Sequence, residues 1–450
     1  MEMHTYTEET EQLARAIEAY ARDRIASPQP LDHAVPAEEL DAAAGVTVSP
    51  EGIGWREALR IWAEVLAPAT ISTDHPASFA FVPGAPTKAS ALFDLIVGAS
   101  STIAAGWMDG AGAIWAENQA LRWLADLAGF PPEAGGVFVS GGSAGNLSAL
   151  VTARHAASVR RGGRPERWRF AACDTVHSSV AAAARVMDVD ILDVPHDGRG
   201  RLTGEGLRET LERDGGDGVF AVVASAGATN AGTVDDLDGI ARVAAEHDLW
   251  FHVDGAYGGG GLLAPSVRDL YRGIERADSF IVDPHKLLFA PYDACGLLYR
   301  EPALALATHR QVASYLDTAL SAPDWNPADY AYHLSRRARG LPLWFSLATY
   351  GTDAYRDAVE VVLALTRETA AAIGADPMFE LIMEPELSVV LFRRLGWGPD
   401  DYEACWRHLL AEQIAFVQPT SWEGEKVMRL CFISPRTTMD HVRPVLAAMR

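Results

Sequence analysis

The sequence predicts an α/β protein. A large domain is built on a mostly parallel sheet of seven strands, and a smaller α+β domain follows it. Three observations carry this reading. From about residue 136 to 300, short apolar runs alternate with helical patterns, as in a parallel sheet covered on both faces. Polar and glycine-rich segments fall just past the ends of those runs, where ligands bind in such sheets. After an aperiodic stretch, the C-terminal part resumes as β-α-β-α.

Size and charge fit a folded enzyme better than a nucleic-acid or membrane protein. The chain has 450 residues, 49% hydrophobic and 22% charged, enough for a sizeable core. Acidic residues outnumber basic ones, 60 to 38, giving a formal charge of −22. That field repels phosphate backbones and anionic lipid surfaces, and no nucleic-acid partner is expected. No run of about 18 apolar residues stands out as a membrane span. The segment from Met1 to Glu11 is acidic and lacks the apolar core of a signal peptide. The four cysteines, Cys173, Cys295, Cys405 and Cys431, are too scattered for a zinc site or a disulfide scaffold. No metal is expected, and buried free thiols suit a reducing, cytoplasmic setting.

The elements follow in chain order. Leu13, Ile17 and Tyr20 recur at helical spacing within residues 8–26, and Ser27-Pro28-Gln29-Pro30 ends that helix. A second helix is predicted over 55–66, before the loop Asp74-His75-Pro76. Residues 1–88 read as a helical arm that packs on another subunit or on the main domain. The large domain spans 89–343. Its candidate strands are Gly136–Val139, Arg169–Cys173, Ile191–Val194, Val219–Ala224, Leu249–Val253, Ser279–Val282 and Ala294–Tyr299. Its candidate helices are 144–160, 178–187, 203–213 and 236–247. Residues 301–342 lack a clean period and carry Pro323, Trp325, Asn326 and Pro327, as a lid does; a mobile loop is placed at about 310–335. A helix begins near Pro342. The small domain, 344–450, reads as strand 387–393, helix 399–415, strand 427–433 and helix 438–449.

Two residues carry most of the chemistry. Lys286 stands in Asp283-Pro284-His285-Lys286, just after the run Ser279–Val282. Asp254, thirty-two positions earlier, stands in His252-Val253-Asp254-Gly255-Ala256-Tyr257 after Leu249-Trp250-Phe251. An amine and a carboxylate at the ends of buried strands are the two protein groups that pyridoxal phosphate chemistry needs. The amine forms a Schiff base with the aldehyde, and the carboxylate keeps the pyridine nitrogen protonated. Most lysines are solvated surface charges, but this one is flanked by Val282 and Leu287-Leu288-Phe289. Burial there needs a charge partner or covalent capture.

Other candidates are weaker singly. Ser140-Gly141-Gly142-Ser143-Ala144-Gly145-Asn146 follows a strand and opens a helix, which is either a phosphate cup or a flexible N-cap turn. It is neither a Walker loop nor the dinucleotide fingerprint. Gly258–Gly261 is a tight bend beside a ligand or a loop needing positive φ. His177 stacks on a ring, moves protons, or is structural. Thr229 bonds a cofactor or caps a turn. Asp235 and Asp236 are helix-capping residues.

These segments together resemble the group II pyridoxal-phosphate-dependent decarboxylases, the aromatic-L-amino-acid and glutamate decarboxylase family. The resemblance runs in order over almost the whole chain. It is carried by His75-Pro76 with Phe79–Gly84, Ser140–Leu147, Asp174 with His177-Ser178-Ser179, His252–Gly259, Ala277–Lys286, and Ser335-Arg336-Arg337 with Leu343-Trp344-Phe345. It implies the aspartate-aminotransferase-like fold (fold type I) and a homodimer with sites at the interface. It implies that Lys286 carries the cofactor, Asp254 pairs with the pyridinium nitrogen, His177 stacks on the ring and Ala256 touches its other face. Gly142 and Ser143 would hold the phosphate, with Thr229 and His285 nearby. Arg429 matches a position that contacts the substrate carboxylate in the glutamate branch. A loop tyrosine protonates the product in this family; Tyr315, Tyr330 and Tyr332 lie in that region. Animal aromatic decarboxylases have Asn where Asp283 stands and Thr where Gly84 stands.

The implied reaction is decarboxylation of an L-amino acid to the amine and CO₂. In the family, the segment holding Phe79, Phe81, Val82, Pro83 and Pro86 lines the substrate pocket. It carries no charge, which suits an aromatic or otherwise apolar side chain better than glutamate. Competing readings are an aldehyde synthase or other lyase on the same fold, a binding protein without turnover, and a nicotinamide dehydrogenase. Products other than amine and CO₂ would mark the first. Bound cofactor without activity would mark the second, and a yellow protein absorbing in the visible would exclude the third.

Overall fold

The computed structural model describes residues 2–27, 29–312 and 325–450. The chain begins with helices α1 (Glu8–Ala26), α2 (Ala37–Ala44) and α3 (Trp55–Ile61), the last running on as a π-helical turn, Trp62–Leu66. Thr7 caps α1 by accepting from the Thr10 N–H. Neither α1 nor α2 buries any residue; the arm meets the core of its own chain only further on, through Leu31, Ile61 and Phe79. Arg24 fixes its end by a bidentate pair with Asp74, at 2.6 and 3.1 Å.

Helices α4 (Lys88–Ala99) and α5 (Trp107–Leu127) come next. Leu92, Leu95 and Ile96 on α4, Met108 and Trp115 on α5, and Ile103 between them are all exposed. With apolar residues on the outer side as well as the inner, these helices lack the amphipathic period that marks a surface helix.

The large sheet holds β1 (Gly135–Val139), β2 (Arg169–Cys173), β3 (Asp190–Val194), β4 (Val219–Ser225), β5 (Trp250–Asp254), β6 (Ser279–Val282) and β7 (Cys295–Tyr299). Its order is β1-β7-β6-β5-β4-β2-β3. β7 runs antiparallel to both neighbours, and the remaining pairs are parallel. The fold is therefore the predicted α/β type with a seven-stranded, mostly parallel sheet. β4, β5, β6 and β7 are buried along their whole length. That double-sided burial is why they read as continuous apolar runs.

Because only β7 runs the other way, the chain leaves β1, β2, β4, β5 and β6 at one edge of the sheet. Helix α6 (Gly142–Arg161) starts directly from the β1 exit. It lies close on the sheet because Gly145 lacks a side chain: a Cβ there would stand 2.9 Å from Ile281 Cγ2 and 3.1 Å from Cys295 Sγ. Helices α7 (Ser178–Met187), α8 (Gly204–Asp214) and α9 (Leu237–Glu246) complete the alternation. Asp236 caps α9 as expected, but Asp235 does something else. It is buried and accepts from Ser225 N at 2.6 Å and Leu202 N at 2.9 Å, pinning two loops.

Residues 301–342 are not one long loop. They include helix α10 (Pro302–His309) and a 3-10 turn, Pro327–Asp329. Part of the expected lid, with Tyr315 and Pro323, lies outside the described residues. Helices α11 (Leu341–Tyr350) and α12 (Thr352–Gly374) lead to a four-stranded antiparallel sheet. Its strands are β8 (Phe379–Leu381), β9 (Val389–Arg394), β10 (Thr420–Trp422) and β11 (Glu425–Cys431), in the order β10-β11-β9-β8. Two short edge strands thus join the two expected from sequence. Helices α13 (Pro399–Ala411) and α14 (Met439–Ala448) pack with them. The segment before α4 is tied into this sheet: Phe79 N–H donates to Phe416 O, and Cys431 N–H donates to Phe79 O.

Candidate active site

The exits of β1, β4, β5 and β6 enclose a cavity of about 320 Å³. Its floor is the N-terminus of α6, where Gly141 is the N-cap and no side chain caps the helix. The first-turn N–H groups and the helix dipole therefore point at the cavity. Gly142 keeps the approach open. A Cβ there would stand 3.1 Å from Ala256 Cβ and 3.3 Å from Asp283 Oδ2.

Asp254, the last residue of β5, reaches the cavity with both carboxylate oxygens held. Oδ1 accepts from Ala256 N at 3.0 Å, and Oδ2 accepts from Asn146 Nδ2 at 2.8 Å. Lys286 follows β6 in a tight turn, and its amine stands 3.1 Å from Asp283 Oδ2. Burial pulls this ammonium down, but Asp283 and Asp254 outweigh that effect and leave it above the ordinary lysine value. The other oxygen of Asp283, Oδ1, is buried without a hydrogen-bond partner among the described residues.

His177 caps α7. Its Nδ1 accepts from the Ser179 N–H at 3.2 Å and lies 2.8 Å from Ser179 Oγ. The neutral ring therefore carries its proton on Nε2. His285 is buried against the Tyr292 ring, with centroids 4.6 Å apart, and its Nδ1 lies 2.8 Å from Ala294 O. Burial, chiefly, lowers the pKa of His285.

All eight residues expected at a cofactor line this one cavity: Gly142, Ser143, His177, Thr229, Asp254, Ala256, His285 and Lys286. Asn146, Asp283 and Tyr292 line it too and were not singled out from sequence. Asn146 and Asp283 stand inside motifs that were. Tyr292 follows an unremarkable Ala290-Pro291 and carried no signal.

A second, larger cavity of about 630 Å³ shares His177, Ala228 and Thr229 with the first. Phe81, Trp422 and Arg429 line it. Arg429 is buried, and its guanidinium donates to three carbonyls: Phe81 O at 2.6 Å, Thr229 O at 2.6 Å and Asn230 O at 3.1 Å. It joins two loops, the one with Thr229 and Asn230 and the one with Phe81, at the junction of the cavities.

Some residues expected at the site lie away from these two cavities of the single chain. Phe79 is fully buried in the core and Pro83 is also buried; neither lines a cavity, and of the expected apolar wall only Phe81 does so. The cause is the pairing of residues 77–79 with the small sheet, which turns Phe79 onto Phe432, centroids 5.3 Å apart. Tyr330 is packed in the core, stacked on Trp325 at 4.0 Å, and burial pushes its phenol up to about 12. Tyr332 is exposed. Neither tyrosine lines a cavity of its own chain.

A helix N-terminus for a phosphate, a carboxylate for a ring nitrogen and an amine for an aldehyde thus meet in one pocket. Together with the orphaned Asp283 oxygen, this donor set fits pyridoxal phosphate.

Comparison with known proteins agrees. The pyridoxal-dependent decarboxylase conserved domain matches residues 46–395. The chain is 32% identical over 391 residues to an aromatic-L-amino-acid decarboxylase of Bacillus atrophaeus, covering 84% of this chain and 81% of that one. It is 26% identical over 440 residues to an L-2,4-diaminobutyrate decarboxylase of Acinetobacter baumannii, covering 91% and 86%. The crystal structure of Oryza sativa TDC with PLP and tryptamine superposes with a TM-score of 0.91 at 25% identity, covering 100% of this chain and 98% of that one. Fold and pocket together define a pyridoxal-phosphate-dependent carboxy-lyase that acts on amino acids. The chain belongs to the pyridoxal-dependent decarboxylase family.

Proposed function

We propose that this enzyme converts an L-amino acid with an aromatic or otherwise apolar side chain to its amine and CO₂, as a cytoplasmic homodimer. The observation that carries the catalytic part is the placement of Lys286 and Asp254 in one cavity at the α6 N-terminus. Bound pyridoxal phosphate supplies a sink for the electron pair left by departing CO₂. Lys286 would hold the cofactor through its amine. Asp254 holds the proton on the ring nitrogen. The backbone of Gly142 and Ser143 holds the phosphate, with Thr229 and His285 beside it. His177 and Ala256, which both line the cavity, would flank the cofactor ring, His177 keeping its proton on Nε2.

The larger cavity is read as the substrate side. Phe81 and Trp422 offer aromatic surface, and the Arg429 charge is engaged with three carbonyls. Asp174 and Glu423 also line the cavity. Their repulsion of an acidic side chain opposes the attraction of the Arg429 guanidinium, whose charge its carbonyl partners do not neutralise. The homodimer is supported by the exposed apolar surface of α4 and α5 and by helices α1 and α2, which bury no residue in their own chain.

The test is a panel of aromatic, aliphatic, acidic and diamino L-amino acids assayed for amine, CO₂, aldehyde and peroxide. Amine and CO₂ from aromatic substrates are expected. Turnover confined to glutamate or 2,4-diaminobutyrate would overturn the substrate assignment, and aldehyde with peroxide would overturn the reaction.

A further inference from the structure

A buried hydrogen-bond chain runs beneath the pocket, and Asp254 fixes its direction. Both oxygens of that carboxylate are acceptors, so Asn146 must turn its NH₂ toward Oδ2, 2.8 Å away. The Asn146 oxygen then faces His252 Nε2 at 2.8 Å. An amide oxygen only accepts, so His252 carries its proton on Nε2. The neutral ring therefore accepts at Nδ1 from the Ser279 hydroxyl, 2.8 Å away, while Ser279 Oγ accepts from Trp250 Nε1 at 2.8 Å. The second Asn146 N–H goes to Ser179 Oγ at 3.0 Å, leaving the Ser179 hydroxyl to donate to His177 Nδ1 at 2.8 Å. Every proton is placed by an acceptor-only or donor-only group at some link.

Burial closes off alternatives from water. Asn146 is 1% exposed, His252 and Ser279 0%, Trp250 3% and Ser179 6%. Burial also pushes the His252 ring down to about 4, against the opposing pull of Asp254, so it stays neutral near pH 7. Reversing the amide would set its oxygen against the Asp254 carboxylate and its NH₂ against the His252 N–H. Neither contact is tolerable in a site without solvent.

We propose that Asn146 is a positioning residue that locks Asp254 and, through Ser179, His177 with a single amide, and that His252 sets the orientation of that amide. One side chain on α6 thus registers the group at the ring nitrogen with the group over the ring face. The inference rests on the reading of Asp254 and His177 as cofactor contacts.

The test uses holoenzyme. In the wild type, ¹⁵N-histidine NMR is expected to show His252 neutral and protonated on Nε2; a cationic or Nδ1-protonated ring overturns the proposal. Asn146→Leu keeps the volume and removes both polar ends. Its cofactor affinity is expected to fall about tenfold or more, with altered visible circular dichroism of the bound cofactor and a lower kcat at little-changed KM. His252→Gln preserves a donor toward Asn146 and is expected to retain the wild-type dichroism, whereas His252→Leu loses it. Wild-type dichroism and affinity in His252→Leu would overturn the proposal even where Asn146→Leu fails to fold. A wild-type protein that binds no pyridoxal phosphate would instead overturn the underlying site assignment, and this proposal with it.

Discussion

The Lys286 ammonium stands 3.1 Å from the Asp283 carboxylate, in a pocket wall where Asp283 is almost wholly buried. An amine attacks an aldehyde only when neutral, so this pair sets the readiness of the cofactor-free enzyme. Asp283 and Asp254 together raise the Lys286 pKa against the effect of burial. Asp283→Asn removes one of them and lowers that pKa. Capture of pyridoxal phosphate by the apoenzyme should become several-fold faster at neutral pH, with its pH profile moved to lower pH. An unchanged profile by stopped-flow absorbance would show that the pair does not control capture.

Arg429 donates to three carbonyls from two loops. A lysine offers a point charge and cannot span them with fixed geometry. Arg429→Lys should raise KM for the amino acid about tenfold while leaving the visible spectrum of the bound cofactor in place. An unaltered KM would separate Arg429 from the substrate side.

Deep in the large domain, Glu117 and Arg336 form a buried pair at 2.8 Å. Arg336 also donates to Ala104 O and to Phe138 O, and Glu117 accepts from Gly340 N at 2.8 Å. Arg336→Leu strands a buried carboxylate and should cost about 3–5 kcal/mol. The double variant Glu117→Leu/Arg336→Leu should recover part of that loss. Denaturant midpoints of the three proteins decide it; a double variant no better than the single would show that charge stranding is not the cause.

Asp235 is held near pH 7 by burial, against the pull of the Ser225 and Leu202 N–H groups. Its unfolded value is about 4. The fold therefore binds this proton more tightly, and the stability it contributes is full below about pH 4 and lost as pH rises to about 7. Wild type should lose stability relative to Asp235→Asn across that window, at equal cofactor loading. A difference in melting temperature that is flat from pH 4.5 to 8 would contradict the assignment.

The buried strands of the large sheet were legible within a residue or so, because double-sided burial writes an uninterrupted apolar run. Helices α4 and α5 were not. Their outward residues, such as Leu95 and Trp115, are apolar as well, and α5 is broken by non-helical Gly110; neither shows a clean period. Gly142, Ser143, His177, Thr229, Asp254 and Lys286 were legible because they sit at strand exits, whereas Ala256 and His285 came only with the family resemblance. Asn146 was passed over because its partners lie 33, 106 and 108 residues away and only the fold joins them. Tyr330 shows what a sequence leaves open: a tyrosine in an aperiodic stretch reads the same whether it faces a site or stacks on Trp325, as it does in this chain.

The central claim is that Lys286 is the residue that holds the cofactor. The chain has three lysines, Lys88, Lys286 and Lys426, so borohydride reduction of the holoenzyme followed by peptide mass mapping gives a clean answer. The pyridoxyl group is expected on Lys286 alone, with no trapping and no turnover in Lys286→Ala. Stoichiometric label on Lys88 or Lys426, or full trapping in Lys286→Ala, would contradict the account.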